Sequence, residues 1–221
     1  MQQADESEPP VDTGLRGYRV RDPEQRAARH REILDAAARV FGARGYYGAT
    51  MDDVAAEMGL TKGVVYYYFR SKDEILFEIV ASAVTHACER LLAVLKTPAP
   101  PAEQLHRALL NLLTFNLDES DEAYYAMLVI PYVRALPPEK RAEIRRLQRQ
   151  FQDPVVQLIR DGIEDGSFIE QDPAAAAFTL LTAANNLSSW VHPESTWPRD
   201  TIARQVADLL VRGLLRNPEP R

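Results

Sequence analysis

The chain has 221 residues, 46% hydrophobic and 26% charged, enough to bury a sizeable core in one large domain or two small ones. Its net charge is −6, yet residues 16–72 carry 11 Lys+Arg against 7 Asp+Glu and residues 73–221 carry 15 against 21, so a modestly basic unit on an acidic body admits a phosphate-bearing partner that the total charge argues against. No run approaches the roughly 18 apolar residues of a membrane span, the acidic start MQQADESEPPVDTG lacks the apolar core of a signal peptide, and the single cysteine, Cys88, excludes an internal disulfide and fits a reducing cytoplasm.

In chain order, residues 1–23 read as a disordered arm, acidic at first and then basic through GLRGYRVRDP. The arm is either a solvated tail or a strand of Arg16, Arg19 and Arg21 that touches phosphates or the minor groove. Residues 24–44 place Ile33, Leu34, Ala37, Val40 and Phe41 at helical spacing, with Gly45 as terminator. Thr50 is a good N-cap for a short helix over 51–58, Gly59-Leu60 make a turn, and Thr61 caps a second short helix ending at Phe69. Ser71 then caps a long helix from Lys72 to about Lys96, stopped by the prolines of TPAPP. Five further helices are expected, over about 102–117, 121–135, 138–165, 173–190 and 199–215, with turn chemistry between them. Pro131 and Pro154 should each kink or break the helix that holds it. No alternating strand pattern is present, so the fold class is all-α, with about nine helices.

Residues 50–72 carry the DNA-reading signal. The second short helix is polar at its entry and holds three consecutive tyrosines, which few soluble cores need. In a helix-turn-helix unit that entry end lies in the major groove. Lys62 there reaches guanine acceptors or a phosphate, Gly63 lets the helix lie close to the groove floor, and Val64 offers an apolar face to a thymine methyl. Val65 and Phe69 face inward. Tyr66 and Tyr68 point outward as phenolic donors to phosphate, with Tyr67 beside them, and Lys72 favours a phosphate at the start of the next helix.

The run ILDAAARVFGARGYYGATMDDVAAEMGLTKGVVYYYFRSKDEIL, residues 33–76, closely resembles the DNA-binding domain of the TetR family of transcriptional repressors. Most specific are the aromatic helix ending YYYF and the following S-K-D/E-x-L. The resemblance implies that Thr50, Lys62, Gly63, Val64, Tyr66, Tyr68 and Lys72 contact DNA; Thr61 and Tyr67 complete the candidate set. Tyr68 stands where many members have histidine.

The resemblance further implies an all-helical ligand-binding body over 72–216, after a reading domain over 24–71 and before a tail over 217–221, with dimerisation through the last two helices. The segment AAAAFTLLTAANNLSSW is small or apolar nearly all round and is expected to be buried on both sides. Leu181, Leu187, Val206, Leu209, Leu210 and Leu214 are the candidate residues of an isologous contact; filling the chain's own core is the other reading. Candidate pocket residues are Phe115, Tyr124, Tyr125, Leu128, Tyr132, Phe151, Val155, Asn185, Asn186 and Trp190, with the Asn185-Asn186 amides as the strongest hint, since buried amides need partners. The closing segment from Asn185 loosely resembles that of members sensing acyl-CoA thioesters. Arg134, Arg141, Arg145 and Arg146 either meet an anionic headgroup or form a solvated face.

The expected function is a ligand-responsive regulator in the cytoplasm, most simply a repressor, binding a palindromic double-stranded DNA operator as a homodimer and released by a hydrophobic or acyl-CoA-type effector. A ligand-independent DNA-binding regulator is the alternative, and an activator is not separable by sequence. Catalysis is not expected. His30, His86, His106 and His192 have no metal-ligand spacing, His86, Cys88 and Glu89 diverge around a helix, and neither a phosphate loop nor a nucleophile elbow is present. No cofactor, metal or membrane partner is called for.

Overall fold

The computed structural model describes residues 22–117, 130–187, 191 and 197–216. Among them are eight α-helices and one 3-10 helix, with no strand. The helices are α1 (Pro23–Arg44), α2 (Met51–Glu57), α3 (Lys62–Tyr68), α4 (Lys72–Leu95), α5 (Pro101–Asn116), the 3-10 helix (Ile130–Ala135), α6 (Pro138–Glu164), α7 (Pro173–Asn185) and α8 (Arg199–Arg212). No described helix is long and apolar enough to cross a membrane.

Local chemistry accounts for the helix starts. Asp22 accepts from the Glu24 N–H ahead of Pro23, Ser71 Oγ accepts from the Glu74 N–H at 3.2 Å, and Asp172 accepts from the Ala175 N–H at 2.7 Å. At α2 the cap is reciprocal: Thr50 Oγ1 accepts from the Asp53 N–H, while the Asp53 carboxylate accepts from the Thr50 N–H at 2.9 Å. Those Thr50 hydrogen bonds, with Arg44 nearby, hold the Asp53 carboxyl below the usual carboxylate range. Gly45 ends α1 at φ 70°, a left-handed value that a side chain would resist.

Several expected boundaries move. The residues expected to complete a helix over 121–135 form, where described, the 3-10 helix from Ile130, and the helix expected to reach residue 190 ends at Asn185. Pro154 does not break its helix. α6 runs through it to Glu164 because Phe151, Val155, Leu158 and Ile159 anchor both flanking turns in the core, which offsets the missing N–H.

One continuous core joins the N-terminal unit to the body. It passes from Ile33 and Phe41 on α1, through Ile75, Leu76, Val80 and Leu91 on α4, to Leu105, Leu109 and Leu113 on α5 and Ile144 and Ile159 on α6. α4 thus packs on α1 at its N-terminal half and on α5 and α6 further along. Polar ties fix the C-terminal helices: His106 Nε2 lies 2.8 Å from Asp208 on α8, and Arg199 donates to the Leu117 carbonyl at 3.0 Å.

Candidate nucleic-acid interface

Two seven-residue helices form the reading unit, and a tight turn sets their angle. Gly59 adopts φ 64°, and the Leu60 N–H donates back to the Ala55 carbonyl at 2.8 Å. Met51, Val54 and Ala55 of α2 and Val64, Val65 and Phe69 around α3 are buried, so two short helices that would not persist alone are held by packing. Thr61 occupies the N-cap position of α3 without a side-chain hydrogen bond and is exposed. Gly63 is exposed too, leaving the entry of α3 unobstructed.

The exposed face differs from expectation in two residues. Val64 is 3% exposed and cannot offer a methyl contact to a base. α3 has only seven residues, and its neighbours at 64 and 65 both turn inward to seal it. Tyr68 does not point outward: it is half-buried, its ring lies 5.2 Å from Tyr67 and 6.4 Å from His30, and its enclosed hydroxyl has no hydrogen-bond partner among the described residues. The outward tyrosines are Tyr66 and Tyr67, 44% and 47% exposed, the latter with the Arg26 guanidinium 5.8 Å above its ring. Three successive positions on a helix span about 200°, so all three rings cannot share one face.

Lys62 sits at the entry of α3 with its ammonium 3.0 Å from the Asp52 carboxylate and 5.6 Å from the centre of the Tyr66 ring. Lys72 is not a free cation. Its ammonium donates to the carbonyls of Tyr46 at 2.6 Å and Ala49 at 2.8 Å and lies 4.4 Å from the centre of the Tyr46 ring. The Tyr46 hydroxyl, in turn, donates to Asp73, and burial together with that carboxylate raises the phenol pKa well above its usual value. The α1–α2 loop is thereby pinned to the first turn of α4. His30 extends the seam, stacked at 4.5 Å on Phe69 and 3.1 Å from Glu78 of α4, whose carboxyl burial pushes upward.

Tyr132, expected in a pocket, instead docks on this loop from the 3-10 helix. Its ring centre lies 5.9 Å from that of Tyr46 and 6.1 Å from that of Tyr47, and its hydroxyl sits 3.2 Å from where a Cβ on Gly45 would stand. Of the other pocket candidates, Phe151 and Val155 are core residues, and Phe115 is half-buried under the Arg90 guanidinium. Asn185 and Asn186 are corrected: both are exposed near the end of α7, Asn185 accepting from Asn116 at 3.2 Å and Asn186 donating to the Thr182 carbonyl at 2.8 Å. The buried amide is Asn116, 3% exposed, which also donates to the Ala184 carbonyl at 3.0 Å. Sequence reading missed it because an Asn at the end of an apolar helix carries no motif. Tyr124, Tyr125, Leu128 and Trp190 lie outside the described residues, as do Arg16, Arg19 and Arg21. Arg146 pairs with Glu143 and Arg141 donates to the Arg134 carbonyl, as on a solvated face.

The candidate dimer residues also divide. Leu181, Leu187 and Leu214 are buried in the chain's own core, Val206 and Leu210 are half-buried against it, and Leu209 is 71% exposed. The expectation that α7 is covered on both sides does not hold within one chain: Phe178 is 48% exposed, alongside Thr179 and Thr182.

Comparison with known proteins settles the family. The family model "Bacterial regulatory proteins, tetR family" matches residues 33–79, and the model "Tetracyclin repressor-like, C-terminal domain" matches residues 98–214, over half the chain. The chain belongs to the TetR family. The HTH-type transcriptional repressor KstR2 of Rhodococcus jostii is 25% identical over 196 residues, covering 87% of this chain and 94% of its own. The HTH-type transcriptional activator FasR of Mycolicibacterium smegmatis is 27% identical over 212 residues, covering 96% and 93%. Among solved structures, AibR in complex with isovaleryl coenzyme A and operator DNA is 26% identical, covers 85% of this chain and 98% of its own, and superposes with a TM-score of 0.72. This TetR-family chain is a transcriptional regulator with a DNA-binding helix-turn-helix.

Proposed function

We propose that this chain acts as a homodimeric repressor that holds a palindromic operator and releases it on binding a small hydrophobic or acyl-CoA-type effector. α4 is the observation that carries the reading. Its first turn is clamped to the reading unit by Lys72 and Asp73, while its apolar face, from Ile75 to Leu91, is buried in the core shared with the body helices that would enclose a ligand. A shift of α4 therefore moves the reading unit. Tyr132 supplies a second route to the same loop. That AibR binds isovaleryl coenzyme A supports the effector class; its complex holds ligand and operator DNA together, so release by the effector rests on the α4 coupling.

The length of α3 favours a dimer. One α3 covers only a few base pairs, whereas two copies spaced by about one helical turn, roughly 34–36 Å, read an inverted repeat. The reading domain over 24–71 and the body over 72–216 then act as reader and sensor. Effector binding selects a spacing that does not fit successive grooves.

The test titrates isovaleryl-, octanoyl- and palmitoyl-coenzyme A against protein bound to a fluorescent operator duplex. At least one is expected to release the duplex and, at 100 times its dissociation constant, to stabilise the fold by about 2.7 kcal/mol. The Tyr132→Ala variant should keep operator affinity within about threefold yet need at least tenfold more acyl-CoA for release. If none of the three changes either stability or operator affinity, the effector class is wrong. A Tyr132→Ala protein that responds like wild type would remove the aromatic route and leave α4 alone.

A further inference from the structure

The Asp52–Lys62 pair is an acid placed beside the cation that reads DNA. Both side chains are exposed, 62% and 56%, so the pair has no part in the core. Lys62 Nζ lies 3.0 Å from Asp52 and 5.6 Å from the centre of the Tyr66 ring, which together aim the ammonium along one direction. An exposed pair of this kind is screened by water and contributes little in itself, so a better partner can displace it.

DNA changes the balance in a sequence-dependent way. A phosphate that takes Lys62 leaves the Asp52 carboxylate unpaired against a polyanion, and that penalty is the same for every sequence. A G·C pair compensates both groups at once, because guanine offers O6 and N7 acceptors to the ammonium and cytosine offers its N4 donor to the carboxylate. Resting on the DNA-reading role of α3, we infer that Asp52 is a specificity-determining residue that positions Lys62 and restricts it to a G·C pair in each half-site. The carboxylate lowers affinity for arbitrary duplexes and thereby widens discrimination.

The experiment first recovers a preferred duplex by in vitro selection from random sequence with the wild-type protein. It then measures affinities for that duplex and for a scrambled one with wild type, Asp52→Asn, Lys62→Met and the double variant at fixed salt. Asp52→Asn is expected to strengthen binding to the scrambled duplex about tenfold, leave the selected duplex within threefold, and relax the G·C position on reselection. In the Lys62→Met background the same substitution should leave the ratio of the two affinities unchanged, as coupled residues require. Equal strengthening on both duplexes would make Asp52 a plain repulsive charge and overturn the inference, as would no change on either. Failure of the wild-type protein to enrich any sequence would overturn the reading role itself, a distinct result.

Discussion

Leu209→Arg is expected to leave each chain folded and to weaken operator binding by about 100- to 10,000-fold, the avidity lost when two linked sites become independent. Leu209 is 71% exposed on α8, so the arginine meets no core neighbour and its cost to the single chain is small. In the proposed isologous contact through α8 each interface residue occurs twice, once from each chain, so the variant sets two guanidinium groups into that contact. Burial of an unpaired charge is prohibitive. Sedimentation should show the variant as a monomer with an unaltered helical spectrum. A variant that remains a dimer with wild-type operator affinity would place the contact elsewhere.

Phe168→Ala is expected to destabilise the chain by about 3–5 kcal/mol, the range for truncating a fully buried aromatic. Phe168 is 0% exposed in the α6–α7 connection, and its ring packs on the open side of Gly162, where any Cβ would overlap it. The same connection ties both ends of the body together. The Phe168 N–H donates to the Gly162 carbonyl at 2.8 Å, the Ile169 N–H to Leu214 at 2.8 Å, and the Arg216 N–H to Ser167 at 3.0 Å. Losing the ring thus loosens α8 as well as α6, and dimerisation should weaken alongside stability. Urea titration reads the first effect; Gly162→Leu should show a comparable loss by displacing the same ring. A Phe168→Ala protein within 1 kcal/mol of wild type would mean that the connection collapses around the void without strain.

The reading unit was legible because its signals are local. Caps at Thr50 and Ser71, the turn glycine Gly59 and the terminator Gly45 act within a few residues of themselves, and each stands where the spacing put it. Facing was harder. Which of three consecutive tyrosines points outward depends on how α3 is rolled against α1 and α2, and that tertiary choice buried Val64 and turned Tyr68 inward. The same limit applied to the C-terminal helices, where an apolar stripe marks burial without saying by which chain: Leu181 and Leu214 went to the core, Leu209 to the surface. Long-range docking was least legible. Nothing near Tyr132 in sequence announces that it meets Tyr46 and Tyr47, because their separation is bridged only by the fold. Lys72 shows the intermediate case, its position expected and its partners not: two loop carbonyls hold it where a phosphate was foreseen.

The most direct test of the central claim is the sequence bound by the wild-type protein and its dependence on the α3 surface. In vitro selection is expected to enrich an inverted repeat whose half-site centres lie about one helical turn apart. Gel-shift titration of that duplex at fixed salt should show wild type binding as a dimer, with Lys62→Ala and Tyr66→Ala each folded and at least tenfold weaker. Selection that enriches no repeat, or affinity untouched by both substitutions, would contradict the account.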